Sequence, residues 1–238
     1  GVVALGGGCL LDEENLKVVS ARGAVICLLA ALETLEERIS SKKTGRPLLD
    51  SQPTENIKRL YHQRKDHYFS FPKLLFVDGK PLDELIWEIQ TLMGRFKISG
   101  MGADYQVQLQ ENGLVQLHNI VKSISLSPPF FLVTDSNVAS HYLSLLPKFE
   151  GALEAQITPF TFPAGEGSKR LQTIQKIWDA MLVANMDRGG TVLALGGGVT
   201  GDMAGFAAAT YMRGICWVNI PTSLLAMVDS SLGGKTGV

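Results

Sequence analysis

The sequence predicts an α/β protein with mainly parallel sheets, and three observations carry that prediction. Strand-like and helix-like apolar patterns alternate over most of the 238 residues, the order that crossover helices on a parallel sheet require. Two strand-like runs, Gly1–Leu5 and Thr191–Leu195, empty into glycine triplets. Polar residues recur directly after apolar strands, where open α/β sheets hold their ligands.

The length suits two small domains better than one. A 45% apolar content, 19% charged residues and a net charge of −1 describe no nucleic-acid or membrane surface. The longest strongly apolar run, Ala24–Leu32, falls far short of the roughly 20 residues that span a bilayer. Cys9, Cys27 and Cys216 stand singly, without metal-ligand spacing, so a reduced, cytoplasmic compartment is expected. The chain opens within a strand pattern and stops after a glycine-rich motif, and an internal fragment of a longer protein is the expectation.

In the first part, strands are expected at Gly1–Leu5, Ala24–Leu29 and Leu74–Val77. Helices are expected at Asp12–Ser20, Leu32–Ser40, Thr54–Tyr68 and Leu82–Met93. The last carries Leu82, Leu85, Ile86, Ile89 and Met93 on one stripe. The segment 94–103 is glycine-rich without a sustained period, so it is expected to link a domain of residues 1–93 to one of residues 104–238. The second domain opens on an alternating strand, Tyr105–Leu109. Strands Phe130–Thr134, Ala155–Phe162, Thr191–Leu195 and Cys216–Ile220 follow, among helices Leu114–Ile124, Val138–Leu146, Leu171–Asn185 and Asp202–Met212. Val2–Gly8 and Val192–Gly198 look like a repeat, but their downstream sequences do not align, so they read as independent strand-to-loop turns.

Gly196, Gly198 and Gly201 satisfy G-x-G-x-x-G between a strand and a helix, the context of a dinucleotide fingerprint. A glycine turn made only for packing fits equally well. Asp202, expected in the first helical turn, complements the helix dipole but repels a phosphate. It therefore suits ribose hydroxyls or a nicotinamide end better. Gly233–Thr236 invites a P-loop reading, yet the required glycine is replaced by Asp229. Asp229 and Lys235 read instead as an acid and a base across a flexible loop, or as a solvated ion pair. Asp135 and Asn137 follow one apolar strand, and Ala164–Lys169, with Glu166 and Lys169, follows another. Helix capping explains any one of these; their recurrence at successive strand ends favours a ligand site.

In order, VTDSN, PAGEGSK, GGGVTGDMAGFAAATYMRG and PTSLLAMVDSSLGGKTGV resemble 3-dehydroquinate synthase from about Asp104 to Val238. The resemblance implies a Rossmann-like NAD-binding domain. Asp135, Asn137, Glu166 and Lys169 would lie toward adenosine, Gly197 and Gly198 at the pyrophosphate, and Asp202, Thr222 and Ser223 toward nicotinamide. Arg213 would face substrate phosphate, while Asp229 and Lys235 line the substrate pocket, Lys235 also meeting the cofactor. Where the family usually has two threonines, Thr222–Ser223 keeps both hydroxyls. The implied reaction uses NAD to oxidise a seven-carbon keto-acid phosphate transiently, eliminates phosphate, returns hydride and closes the ring to 3-dehydroquinate. A divalent metal, zinc or cobalt, assists it, through glutamate and histidine ligands expected outside this chain. His118 and His141 match no ligand motif.

In the first domain, Arg64 falls on the apolar stripe of Ile57, Leu60, Tyr61 and Tyr68. A guanidinium there needs an anion, either an internal carboxylate or a substrate one, which Arg grips bidentately. Ser40–Asp50 carries Lys42, Lys43 and Arg46 and reads as a solvated loop or a phosphate-covering lid. VVALGGG, GRPLL and QRKDHY together resemble the C-terminal half of shikimate kinase, a P-loop-kinase-like α/β unit, from Gly1 to about Met93. By that resemblance Gly6, Gly7 and Gly8 contact shikimate, Arg64 holds its carboxylate and Arg46 is the lid arginine. ATP and Mg²⁺ would be needed, but the phosphate-gripping loop is not in this sequence.

The two resemblances together imply a bifunctional enzyme of aromatic biosynthesis, with small-molecule substrates, no nucleic-acid or membrane partner and a possible homodimer. Turnover by the fragment alone is not expected. A different NAD-dependent sugar-phosphate cyclase, an NAD-dependent polyol dehydrogenase and a degenerate interaction module are the rivals.

Overall fold

Residues 1–40, 53–99, 104–146 and 157–238 are described by the computed structural model, and the chain divides into two units between Leu109 and Gln110. The first unit has β1 (Cys27–Leu29) paired in parallel with β2 (Leu74–Phe76), Cys27 opposite Leu74. Its helices are α1 (Glu13–Ser20), α2 (Leu32–Ser40), α3 (Pro53–Phe69) and α4 (Leu82–Met93). Asp12 caps α1 by accepting the Asn15 N–H at 2.9 Å, as an acidic N-cap should. Asp78, just past β2, accepts the Ala31 N–H at 2.7 Å at the head of α2. The Thr34 hydroxyl, that amide and Arg38 hold its carboxyl below the usual carboxylate range.

Two expectations for this unit need correction. Gly1–Leu5 forms no strand, and Val2 and Val3 are fully or largely exposed. An alternating pattern supplies faces but not a neighbour, and no strand among the described residues pairs with it. The expected linker contains β3 (Arg95–Ile98), antiparallel to β4 (Tyr105–Gln108), Phe96 facing Val107. Arg95–Ile98 does alternate in exposure; the flanking glycines hid that short period. Gly94 closes α4 at φ 61°, and its carbonyl accepts the Leu109 N–H at 2.7 Å.

The second unit is a four-stranded parallel sheet in the order β6-β5-β7-β8. Its strands are β5 (Phe130–Asp135), β6 (Ile157–Phe162), β7 (Thr191–Gly196) and β8 (Cys216–Pro221). The helices are α5 (Leu117–Ser123), α6 (Ser136–Tyr142), α7 (Leu171–Val183) and α8 (Gly198–Thr210). β5 and β7 are near-continuous apolar runs because both sheet faces are covered. Phe131, Val133, Val192 and Ala194 pack against Ile174, Ile177 and Met181 of α7 and Met203, Ala204, Ala207 and Ala208 of α8. On the opposite face Phe130, Leu132, Leu193 and Leu195 meet Leu117 and Val121 of α5, with Val138 and Tyr142 of α6 against them.

The chain leaves β5 for β6 on one side, then crosses to β7 on the other. Loops after β5 and β7 therefore lead to opposite faces, which opens a crevice between their carboxyl ends. Val192–Gly198 is the strand-to-helix turn of that crevice, whereas Val2–Gly8 contains no strand. The two look-alike segments are structurally independent.

Gly79 and Gly94 both have positive φ, but a Cβ on Gly79 meets nothing within 4 Å while one on Gly94 falls 2.1 Å from the Leu109 carbonyl oxygen. Gly79→Ala is expected to lose about 1–2 kcal/mol, the cost of left-handed backbone alone. Gly94→Ala adds a backbone clash that no rotamer relieves and is expected to lose about 3–4 kcal/mol. Urea unfolding of the two variants checks this; equal losses would show that the Leu109 backbone moves aside freely.

Candidate functional site

The crevice is assembled by local capping chemistry. Asp135 ends β5 and caps α6, one carboxylate oxygen accepting the Asn137 and Val138 amides at 2.9 and 3.0 Å. Its other oxygen accepts the Thr200 hydroxyl of α8 at 3.3 Å, so a single carboxylate ties the loops after β5 and β7 together. Ser136 accepts the Ala164 N–H at 3.1 Å, which binds the loop after β6 to the same edge. There Gly165 turns at φ 105° and buried Ser168 donates to the Pro163 carbonyl at 2.5 Å.

Lys169 and Asp202 meet at 2.7 Å, with about a quarter of each side chain exposed. The hydrogen bond to Asp202 raises the Lys169 pKa; partial burial opposes it, and the fields of Asp202 and Glu166 reinforce it. Asp202 does not sit in the first helical turn as expected. α8 begins at Gly198, four residues earlier than the sequence pattern suggested, because Thr200 is buried with Met203 and Ala204 and so draws the first turn into the packed helix. The carboxylate therefore lies in the second turn and already faces an ammonium group, so the repulsion expected for a phosphate at the helix start is much reduced.

The glycine turn separates into two kinds of position. A Cβ on Gly196 would fall 2.4 Å from the Thr200 hydroxyl oxygen, and one on Gly201 3.0 Å from Asn219 Oδ1. Packing alone demands glycine at the first and is tight at the second. Gly197 meets only Ser223 Oγ at 3.5 Å, an ordinary contact. Gly198 is intermediate, 3.2 Å from Ser230 Oγ. Gly197 is the N-cap of α8 and supplies no side-chain cap, so the first amides of a 13-residue helix face outward uncapped. A shallow cleft beside them is lined by Gly196, Gly197, Gly201, Asn219 and Ser230 among others.

Other expected site residues distribute unevenly. The Thr222 N–H donates to the Gly196 carbonyl at 3.0 Å, and the Ser223 hydroxyl accepts the Ala226 N–H at 3.3 Å, so both border the glycine turn. Glu166 and Asn137 are exposed at the same sheet edge. Asp229 rides a π-helical turn, Ala226–Ser230; it and Lys235 are exposed and form no ion pair with each other. Arg213 is not brought to this crevice. It lies past the far end of α8, about 20 Å from Gly198 at 1.5 Å per residue, at the amino edge of β8. Met212, Arg213 and Gly214 there have φ of 47°, 70° and 102°, a left-handed run that is costly for two side-chain-bearing residues.

In the first unit, α3 brings Arg64 and Tyr68 to the triplet Gly6–Gly8. Tyr68 donates its hydroxyl to the Gly7 carbonyl, and Arg64 nitrogens lie 3.7 and 3.9 Å from the position of a Cβ on Gly8. Ile57, Leu60, Tyr61, Arg64 and Tyr68 are all half-buried, as the stripe predicts. Arg64 forms no ion pair among the described residues, which disfavours the internal-carboxylate alternative. Arg46, with Lys42 and Lys43, lies outside the described residues.

Thr200, Asn219 and Ser230 escaped the sequence reading. Asn219 had a signal: it is the one amide inside the apolar strand Cys216–Pro221. Among the described residues no group of three or more His, Cys, Asp or Glu side chains could hold a metal ion, and no helix is long and apolar enough to cross a membrane.

Residues 1–91 match the family model for shikimate kinase, and residues 159–238 match that for the N-terminal part of 3-dehydroquinate synthase. A curated 3-dehydroquinate synthase of Thermosynechococcus vestitus is 47% identical over 140 residues, 56% of this chain and 37% of that protein. One from Acidithiobacillus ferrooxidans is 54% identical over 110 residues, 46% of this chain and 30% of its own length. The chain thus spans about a third of the length of the curated relatives it matches. Among solved structures, a 2-epi-5-epi-valiolone synthase from Streptomyces hygroscopicus subsp. jinggangensis with NAD⁺ and Zn²⁺ bound is 30% identical. That match covers 60% of this chain and 39% of the other, at a TM-score of 0.46.

Because Asp202 raises the Lys169 pKa in the folded chain, the pair stabilises the fold fully below the ordinary lysine range and loses that contribution as pH climbs through the raised value. The thermal midpoint of the parent chain is expected to exceed that of Lys169→Met by a constant margin at neutral pH. The margin should shrink at strongly alkaline pH, followed by circular dichroism across a pH series. A margin that widens with alkalinity would contradict the pairing.

Proposed function

From a chain that joins a shikimate kinase-like segment to a 3-dehydroquinate synthase-like one, we propose that the second unit supplies the NAD-binding part of a 3-dehydroquinate synthase. The parent protein would cyclise 3-deoxy-D-arabino-heptulosonate 7-phosphate with release of phosphate, and phosphorylate shikimate through its first domain. The observation that carries this is the combination at the switch point: uncapped α8 amides behind a Gly197 open to close approach. Beside them stands a charge-compensated Asp202.

These residues fit a dinucleotide. Missing side chains at Gly197 and Gly198 let backbone amides reach a pyrophosphate, and the helix dipole favours its charge. Lys169 offsets the Asp202 carboxylate, which remains an acceptor for a hydroxyl or amide of the nicotinamide half, next to Thr222 and Ser223. Asn137 and Glu166 present polar groups at the outer lip, toward adenosine, while Asp135 holds the lip in place through α6 and Thr200. Bound NAD supplies a hydride acceptor that takes and returns one hydride per turnover. Asp229 and Lys235 lie beyond β8 and are assigned to the substrate side, Lys235 also to the cofactor. Arg213 remains a candidate for substrate phosphate only if it acts elsewhere than in this crevice.

A divalent metal, zinc or cobalt, belongs to the proposed activity, with ligands other than the described residues. In the first unit Arg64, braced beside the glycine triplet, suits a shikimate carboxylate, and Arg46 is assigned to the ATP phosphates, with Mg²⁺. Small-molecule substrates, a possible homodimer and a cytoplasmic setting complete the proposal. Three free cysteines accord with a reducing compartment.

Gly197→Ala separates the ligand role from packing. Its added Cβ meets only an ordinary contact, so the variant is expected to fold, losing only about 1 kcal/mol because alanine is a poorer N-cap than glycine. It should bind NAD⁺ about tenfold more weakly, the loss of one backbone hydrogen bond to an anion. Isothermal titration of the full chain measures this; no NAD⁺ binding at saturation, or unchanged affinity in the variant, would overturn the proposal.

A further inference from the structure

The near-miss P-loop, Gly233–Thr236, is left unexplained by the cofactor crevice alone. Gly205 lies buried within α8, and a Cβ there would fall 2.3 Å from the Thr236 methyl and 2.8 and 3.0 Å from two ring carbons of Trp217. Thr236 is half-buried while Lys235 directly before it is exposed. Seven residues up the same helix, Gly198 faces Ser230. The segment from Ser230 to Thr236 therefore runs along α8 between two glycine notches about 10 Å apart. Gly233 and Gly234 between them are both left-handed, at φ 88° and 69°, so the segment has little stiffness of its own.

We infer that Thr236 is a positioning residue: its methyl group, seated over Gly205, fixes the loop that carries Lys235 relative to the nucleotide crevice. The inference rests on the NAD reading above. It also reverses the chemistry that the G-K-T pattern suggests. In a P-loop the Ser/Thr hydroxyl serves a metal ion; here the hydroxyl makes no hydrogen bond among the described residues, and the methyl makes the close contact. Valine, which keeps the methyl, is thus the conservative replacement, and serine, which keeps the hydroxyl, is not.

The test compares Thr236→Val, Thr236→Ser and Thr236→Ala in the full chain, with Lys235→Met as reference. Hydrogen exchange of the peptide covering residues 229–238 reports the seat without any ligand, and NAD⁺ titration reports its consequence. Faster exchange is expected in the Ser and Ala forms and parent-like exchange in the Val form. NAD⁺ affinity should fall about three- to tenfold in Ser and Ala, the cost of ordering one loosened side chain and loop, and should hold within about twofold in Val. Serine behaving as the parent while valine fails, or equal exchange in all three, would overturn the inference. Intact exchange differences in a chain that does not bind NAD⁺ would refute the cofactor reading and the role given to Lys235, while leaving the methyl seat in place.

Discussion

The carboxyl edge of the four-stranded sheet depends on side chains that cannot exist at three glycines, one ending β7 and two within α8. At Gly196 the space belongs to Thr200, at Gly201 to Asn219, and at Gly205 to Trp217 and Thr236. The first lets the opening turn of α8 close on the end of β7, and the other two let strand β8 and the segment beyond it press against the helix backbone. Two interior glycines weaken a helix by roughly 1–2 kcal/mol relative to alanine. The adjoining sheet-facing side offsets this, because Met203, Ala204, Ala207 and Ala208 are buried against the sheet. α8 is thus a helix held by tertiary packing more than by propensity, which leaves its outer face available for close backbone approach.

Charge at this edge is already matched before any ligand arrives. Asp135 divides its two oxygens between the head of α6 and Thr200, and Asp202 answers Lys169. Both carboxylates therefore bind separate loops into one rim. A carboxylate neutralised by a neighbouring ammonium can stand one turn from an anion without expelling it, and Asp202 in the second turn of α8 is so neutralised by Lys169. The acid that argued against a phosphate in the linear sequence thus loses most of that force in three dimensions.

How much of this was legible in the sequence follows from the range of the interactions. α2 and α4 were readable to the residue, because their apolar stripes and end signals are local. β5 and β7 were equally clear as unbroken apolar runs. Gly1–Leu5 failed because a strand requires a neighbour, which no pattern within the segment can supply. β4 was expected at Tyr105–Leu109, but its partner β3 was missed because four alternating residues after a glycine look like a loop. Lys169–Asp202, 33 residues apart, and the Asn219–Gly201 contact are pairings between elements, visible only once the sheet order is known. Arg213 follows the glycine motif closely in sequence, yet α8 carries it to the opposite edge of the sheet, a separation that sequence proximity hides.

The glycine fingerprint consequently carries less weight than its pattern suggests, and a different residue carries more. In G-x-G-x-x-G the first and third glycines here, Gly196 and Gly201, are accounted for by Thr200 and Asn219 without any ligand. A protein that bound no nucleotide would still need the first of them. The second, Gly198, is partly explained by Ser230. Gly197, which the fingerprint leaves unspecified, is the position that packing does not require. It also stands as an N-cap without a capping side chain, where glycine costs the helix only roughly a few tenths of a kcal/mol relative to serine or aspartate. A bare N-cap at the switch point of a parallel sheet accords with the pyrophosphate proposed there.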